Sequence, residues 1–205
     1  MMRKHLPNLK ALWMVSLLVP FLTACGTKPI LTVNYHLPAA ADTLAGLETS
    51  VSFHDERSDR SFLSPNARQE LEDFSGIFSL VVSRETDGEN LVGAYRTPEL
   101  IMEILSRRLN HAGMRVVPSN STAFSIELSL KEFYLDLVNR KWTVSMNYQI
   151  RLVRDGKLVT QQTVSGSAER ARLSGQNDAE KVVGELVSDM INRIDVNMLA
   201  EQMKS

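Results

Sequence analysis

The stretch that decides the fold covers residues 124–152 and reads FSIELSLKEFYLDLVNRKWTVSMNYQIRL. Apolar and polar side chains alternate from Phe124 to Leu130 and again, without a break, from Trp142 to Leu152. Successive side chains of a β-strand point to opposite faces of a sheet, so this alternation places one face in a core and the other in water. The stretch therefore predicts two half-buried β-strands.

One break in the pattern and two turns define how these strands connect. The apolar side chains change from even positions to odd positions over residues 133–137, which predicts a β-bulge near Lys131–Glu132. Residues 138–141, Val-Asn-Arg-Lys, predict a turn into the second strand. Asp155-Gly156 suits the positive φ angles of a tight hairpin, which leads into a third strand over residues 158–169. The result is a three-stranded antiparallel meander.

Two helices are predicted, one before the meander and one after it. The first begins with Thr97 as its N-cap and carries apolar residues at helical spacing over 100–109. The second begins at Asn177 or Asp178, either of which can cap it, and its apolar stripe continues to Ile194. Each stripe can cover a sheet face.

Shorter elements complete the prediction. Strands are expected over residues 47–53, 77–82 and 114–117, and a short helix capped by Ser64 is expected within 64–76. Helices packed on one face of a mainly antiparallel sheet bury both apolar surfaces at once. The expected fold class is α+β, a mainly antiparallel sheet with two helices packed on one face.

The N-terminus has the parts of a secretory signal. Residues 1–24 contain three basic side chains, no acidic ones and a 12-residue apolar run, which is shorter than the roughly 20 residues that span a bilayer. The run ends in Leu22, Thr23, Ala24 and Cys25, which resembles the lipobox of bacterial lipoproteins. That resemblance implies cleavage before Cys25, followed by attachment of a diacylglyceryl group to its sulfur and an acyl chain to its new amino group. The alternatives are a signal anchor with a chance cysteine, or a buried core cysteine.

These features divide the chain into three parts. Residues 1–24 are the predicted cleaved lipoprotein signal peptide, 25–46 a lipid-anchored tether, and 47–205 a periplasmic α+β domain. The tether contains Pro29 and Pro38 and shows little periodicity, and about 20 extended residues would reach on the order of 70 Å. The alternative for this segment is that residues 30–37 add an edge strand. Gly26 stands where many inner-membrane lipoproteins have aspartate, so the resemblance favours the periplasmic face of the outer membrane.

Charge and composition exclude several classes of function. The 205 residues include 43% hydrophobic side chains, 23 basic and 24 acidic groups, and one cysteine. Loss of residues 1–24 removes Arg3, Lys4 and Lys10 and leaves 20 basic and 24 acidic groups, a net charge of −4. No electrostatic hold on nucleic acid is expected from such a chain. A single cysteine excludes an intramolecular disulfide and a multi-cysteine metal site, and no phosphate-loop spacing occurs. No catalytic residues, metal ligands or cofactor other than the acyl groups on Cys25 are expected.

The densest polar cluster is the run from His54 to Arg60. One interpretation makes Asp55 and Asp59 cation ligands or makes the run a docking site. The competing interpretation is a strand-end turn, in which the aspartates cap backbone groups and Arg57 pairs with a carboxylate. Calcium loops supply more oxygen ligands and a turn glycine, neither of which this run contains.

Two residues of the second long strand are further candidates for partner binding. Trp142 stands beside the turn 138–141 and is either an exposed aromatic anchor or an ordinary core residue in register with Val144. Asn147 belongs to the polar face of the same strand, a flat surface rich in hydrogen-bonding groups. An edge strand of the sheet could also accept another chain by strand addition.

Nearly the whole chain resembles the YajG family of bacterial outer-membrane lipoproteins. The resemblance rests on Cys25, on the run Val-Ser-Phe-His-Asp-Glu-Arg-Ser-Asp over residues 51–59, on residues 105–118, on the meander and on the late helix. Residues 62–76 depart from the family pattern. The resemblance implies a location and an architecture, and it implies no biochemical activity.

Two functions are therefore expected, in this order. The first is a non-enzymatic accessory or protein-binding subunit of the cell envelope, with a membrane anchor, another envelope protein as partner and an undetermined oligomeric state. The second is an auxiliary lipoprotein of an envelope lipid-transport system. An apolar, lipid-sized cavity between helix and sheet would favour the second function, whereas a polar face or a free edge strand would favour the first.

Overall fold

The computed structural model describes residues 30–72, 74–84, 88–119 and 121–205. In chain order, the strands are β1 (Leu31–His36), β2 (Glu48–Asp55), β3 (Phe78–Arg84), β4 (Gly88–Tyr95), β5 (Arg115–Val116), β6 (Phe124–Val138), β7 (Lys141–Arg154) and β8 (Lys157–Ala171). The helices are α1 (Pro65–Glu70), α2 (Thr97–His111), α3 (Gln176–Asn192) and α4 (Val196–Lys204). The signal peptide and the lipobox through Cys25 lie outside the described residues.

The α+β class is confirmed, and the described strands form two sheets rather than the one expected. The larger sheet has the order β5-β2-β6-β7-β8, and the smaller has the order β1-β3-β4. Counted by paired residues, most of the strand pairing is antiparallel. The parallel pairs are β1 with β3, β5 with β2 and β2 with β6. Helix α2 contacts strands of both sheets, and α3 packs on β7 and β8.

The meander forms as the alternation predicts. The pairing of β6 with β7 shifts register between Leu130 and Glu132, which confirms the bulge. Asn139 and Arg140 have φ angles of 51° and 61°, and such left-handed conformations suit the two central residues of a tight hairpin turn. The second hairpin turns at residues 155–156, as predicted.

Two helix starts differ from the prediction. Thr97 is the first helical residue of α2, and Arg96 occupies the cap position without a side-chain hydrogen bond. Helix α3 has Gly175 as its cap with a φ angle of 59°, and the Asp178 carboxylate instead reaches back to the backbone N–H groups of residues 173 and 174. Ser64 caps α1 as expected, since its Oγ accepts the N–H of Ala67 at 3.0 Å.

Residues 31–36, which we expected inside a tether, form β1 of the smaller sheet. Leu31, Val33 and Tyr35 are at most 1% exposed, and β1 pairs along its whole length with β3. The edge-strand alternative is therefore the correct one for these residues. The predicted tether of residues 25–46 is therefore wrong for residues 31–36, and residues 25–29 lie outside the described residues.

Helix α3 explains why this short strand is stable, because the helix lies along its outer edge. Side chains four residues apart on α3 bind the backbone of β1, and a glycine fills the middle position: Gln176, Glu180, Gly184, Ser188 and Asn192. Four helical residues rise about 6 Å and two strand residues about 6.6 Å, so a helix parallel to a strand keeps this register over several turns.

Candidate functional site

The predicted polar run contains an ion pair that is largely enclosed by the protein. The Asp55 carboxylate accepts hydrogen bonds from Nε and Nη2 of Arg57, both at 2.9 Å, and the two side chains are 15% and 5% exposed. Nη1 of Arg57 also donates to the carbonyl of Phe133 at 3.4 Å. These hydrogen bonds from Arg57 lower the pKa of Asp55 below its ordinary value. Asp55 and Arg57 therefore join the end of β2 to β6.

Asp59 has a separate, local role. Its Oδ1 accepts the backbone N–H of Ser61 at 2.8 Å, and the residue itself is exposed. This is the strand-end turn of the competing interpretation, in which aspartates cap backbone groups. Among the described residues, no group of three or more His, Cys, Asp or Glu side chains could hold a metal ion.

A cluster of phenylalanines lies next to this ion pair. The ring of Phe62 is 5.0 Å from that of Phe78, 4.7 Å from that of Phe133 and 6.1 Å from that of Phe74. The Phe62–Phe78 rings meet edge to face, an arrangement that the charge distribution of aromatic rings favours. Phe78 and Phe133 are fully covered, whereas Phe74 remains partly exposed.

Three members of this cluster, without Phe133, form the floor of an open groove of about 940 Å³, which we call the Phe–Arg groove. Phe62, Phe74 and Phe78 line its apolar part. Its polar part contains two acidic and four basic side chains: Asp55, Glu72, Arg57, Arg60, Arg68 and Arg96. The described lining thus has an excess of two positive charges.

The arginines at the rim of the groove differ in how far they are engaged. Arg60 is 76% exposed and lies 3.9 Å from the Asp55 carboxylate, which Arg57 already occupies at a shorter distance. Arg68 donates to Ser61 Oγ at 2.7 Å. Arg96 is exposed and forms no ion pair with any residue in the described part of the chain. These guanidinium groups have donors left to bind an anionic group that enters the groove.

The two candidates on β7 do not belong to this groove. Trp142 is fully buried, so the prediction that it acts as an exposed anchor is wrong; its ring belongs to the core, in register with Val144. Asn147 lies on the opposite face of β7, facing Ser165 of β8. That face is polar, and an ion pair of Arg151 with Glu127 at 3.2 Å crosses it. The role of Asn147 in partner binding stays a prediction.

The core between the helices and the larger sheet is filled by side chains. Tyr148 is fully buried and donates from its hydroxyl to the Met190 carbonyl at 2.7 Å, and Val182 and Val187 of α3 are also fully buried. None of the helices in the described ranges is long and apolar enough to cross a membrane.

Sequence reasoning identified three residues of the groove, Asp55, Arg57 and Arg60 of the polar run, and missed the rest. Phe62, Arg68 and Arg96 come from a loop, a helix and a strand end, and no spacing in the sequence links them. Phe74 lies within residues 64–76, where a short helix was expected, but α1 ends at Glu70. The dense polar run was the one local signal of the site.

The comparisons with known proteins establish the fold alone. No protein-family model matches the chain, and no curated protein sequence matches it. The crystal structure of a Xanthomonas campestris protein of family DUF330 superposes with a TM-score of 0.51 at 10% identity, covering 84% of this chain and 98% of that one.

Two solved lipoproteins resemble the chain more loosely. Rare lipoprotein B from Shewanella oneidensis gives a TM-score of 0.41 at 10% identity, with 75% of this chain and 97% of that one covered. The minor lipoprotein from Acinetobacter baumannii gives 0.38 at 12% identity, with 76% and 95% covered. At these identities no residue role can be transferred to this chain.

Proposed function

We propose that the chain is a lipid-anchored lipoprotein of the outer membrane, facing the periplasm, and a non-enzymatic accessory subunit that docks another envelope protein in the Phe–Arg groove. Diacylglyceryl and acyl groups on Cys25 provide its attachment. The sequence up to Cys25 supports the anchor. Two lipid groups attach a protein stably to a membrane, whereas a single acyl chain gives only weak, reversible attachment. The observation that carries the docking role is the combination of a phenylalanine floor with four arginines in one open groove.

The chemistry of the groove defines the partner. Exposed ion pairs contribute about 0–1 kcal/mol each, so arginines alone would bind weakly and without selectivity. Covering a large apolar side chain contributes about 1.5–3 kcal/mol. A segment that places an apolar side chain over Phe62 and Phe74 and a carboxylate beside Arg60 or Arg96 would use both effects. The groove is locally positive on a mature chain of net charge −4, which steers such an acidic segment toward it.

Photocrosslinking in living cells tests the proposal. A benzophenone amino acid replaces Arg60 at the rim of the groove in one variant and Ser165 on the outward sheet face, opposite Asn147, in a matched control. We expect an adduct with a second envelope protein from position 60 and none from position 165. Adducts from position 165 alone would transfer the docking role to the sheet face, and unmodified monomer at both positions would contradict docking.

The same cells test the anchor and the competing function. Cys25→Ser should release the protein from the outer-membrane fraction, and a variant that remains there would contradict lipid anchoring. The phenylalanine floor could also accept an acyl chain, as a lipid-transport auxiliary would require. A position-60 adduct that contains phospholipid and no protein, formed in the Cys25→Ser background where the anchor no longer holds the groove beside the bilayer, would favour that function.

A further inference from the structure

The end of the molecule from which the chain leaves toward Cys25 collects exposed apolar side chains. We call this end the N-terminal pole and define it by Ile30, the turn 138–141 and the loop 172–175. Gln176 Nε2 donates to the Ile30 carbonyl at 3.0 Å, and the N–H of Arg172 donates to the Arg140 carbonyl at 2.8 Å. These contacts bring the three segments to one place.

Three of the five exposed large apolar side chains of the described residues lie at this pole. They are Ile30 at 42%, Val138 at 46% and Leu173 at 86% exposure. Leu158, at 49%, lies at the opposite end of β8. An apolar side chain as exposed as Leu173 costs free energy in water, and a concentration of such side chains marks a contact surface.

The loop that presents Leu173 is fixed by the protein. The Asp178 carboxylate accepts the backbone N–H groups of Leu173, at 2.7 Å, and Ser174. Nε of Arg172 donates to Glu70 of α1 at 2.8 Å. The exposure of Leu173 is therefore built into the structure, since both sides of the loop are bound.

The length of chain before β1 determines what can cover this surface. Cys25 lies five residues before Ile30, a distance of at most about 18 Å when extended. A lipid group on Cys25 therefore holds Ile30 within that distance of the bilayer. The 15 residues of β8 put Leu158 roughly 45 Å from Leu173 along the strand, beyond the reach of this link.

We infer that the N-terminal pole lies on the membrane surface, with Leu173 and Ile30 in the interfacial region of the lipid and Arg140 at the headgroups. This inference rests on the proposed lipidation of Cys25. Aliphatic side chains beside a basic group are the composition that proteins use to lie on a membrane interface. Gly76 at the rim of the groove is next to Ile77, whose carbonyl accepts the N–H of Leu31, so the inference also places the groove beside the membrane.

Depth-dependent quenching tests the orientation in the full lipidated chain. Leu173→Cys is labelled with a fluorophore, and Leu158→Cys is the matched control; the lipidated Cys25 does not react, so each label has one site. The vesicles contain phosphatidylethanolamine and phosphatidylglycerol at 3:1, with a spin label on a fraction of the acyl chains. We expect several-fold stronger quenching at position 173 than at position 158.

The outcomes separate this inference from the proposed function. Protein that floats with the vesicles and is quenched equally at both positions, or more strongly at position 158, contradicts the orientation and leaves the anchor intact. Protein that does not float contradicts the anchor itself, and the orientation fails with it. Both labelled side chains are exposed in the structure, so neither substitution disturbs the core.

Discussion

At the scale of single residues, the Asp55–Arg57 pair determines whether the groove keeps its shape. Arg57 is buried and binds both the carboxylate of Asp55 and the carbonyl of Phe133, so it links β2 to the strand that carries one of the clustered phenylalanines. The cost of burying the Arg57 cation is offset because the Asp55 carboxylate balances its charge and its N–H groups have hydrogen-bond acceptors. Of the residues that we expected at a docking site, Asp55 and Arg57 thus line the groove and fix its structure, and Arg60 and Arg96 are among its exposed cationic groups.

We predict that Asp55→Asn lowers the free energy of unfolding by about 3 kcal/mol at pH 7, because it leaves the buried Arg57 without a counter-charge. The pKa of Asp55 is lowered in the folded state, so its stabilising contribution is present above its unfolded pKa of about 3.9 and is lost as the pH falls through the folded value. Urea unfolding of both proteins at pH 7 and near pH 3 should show the difference shrink.

Asp59→Asn provides the matched control for this prediction. Its amide oxygen can still accept the N–H of Ser61, and the residue is exposed, so we expect a change within about 0.5 kcal/mol. Equal losses for the two variants, or a loss at Asp55 that stays constant with pH, would contradict the role of the buried pair.

At the scale of elements, α3 protects an edge that would otherwise be open. Ser188 accepts the N–H of His36 at 3.0 Å and donates to the Asn34 carbonyl at 3.3 Å, so one hydroxyl satisfies two groups of the β1 edge. Unpaired edge groups invite pairing with another chain. Because α3 covers β1, strand addition to the smaller sheet would have to occur at β4 on the other side.

We predict that Gly184→Ala destabilises the protein by about 2 kcal/mol, although alanine is the better helix former by about 1 kcal/mol. A Cβ at this position would lie 2.9 Å from the Asn34 carbonyl oxygen and 3.1 Å from its nitrogen, both of them backbone atoms. The control is Gly166→Ala, whose Cβ would meet the flexible Met190 side chain, and its loss should be smaller. Urea unfolding that shows Gly184→Ala to be more stable than the natural chain would contradict this close packing.

The same elements explain which parts of the fold the sequence could predict. The meander follows from the alternation within each strand and from the two-residue turns between the strands. Both signals are local in the sequence. The stability of β1 depends on partners such as Glu180, 148 residues away from Thr32, and the repeat of Gln, Glu, Gly, Ser and Asn on α3 looks like an ordinary solvated face in the sequence. The split into two sheets depends on such distant pairing, and so does the groove.

At the scale of the whole molecule, the position of β1 changes where the domain begins and how far it stands from its anchor. The predicted tether of residues 25–46 would have allowed the domain to range on the order of 70 Å from the membrane. With β1 folded, the predicted tether cannot include residues 31–36, and the groove, the exposed Leu173 and the start of β1 lie at one end. The lipidation proposed for Cys25 would therefore hold the groove close to the membrane.

We therefore predict that a chain beginning at Gly26 folds, whereas a chain beginning at Leu47 does not fold cooperatively. The shorter chain lacks the buried side chains of Leu31, Val33 and Tyr35, whose burial contributes on the order of 6 kcal/mol, close to the 5–15 kcal/mol that stabilises a typical domain. Trp142 is the one tryptophan of both chains and is fully buried, so its fluorescence reports the core. We expect blue-shifted emission and a single urea transition from the longer chain, and red-shifted emission without a sharp transition from the shorter one. Identical transitions in the two chains would mean that β1 is dispensable and that the domain begins near Leu47.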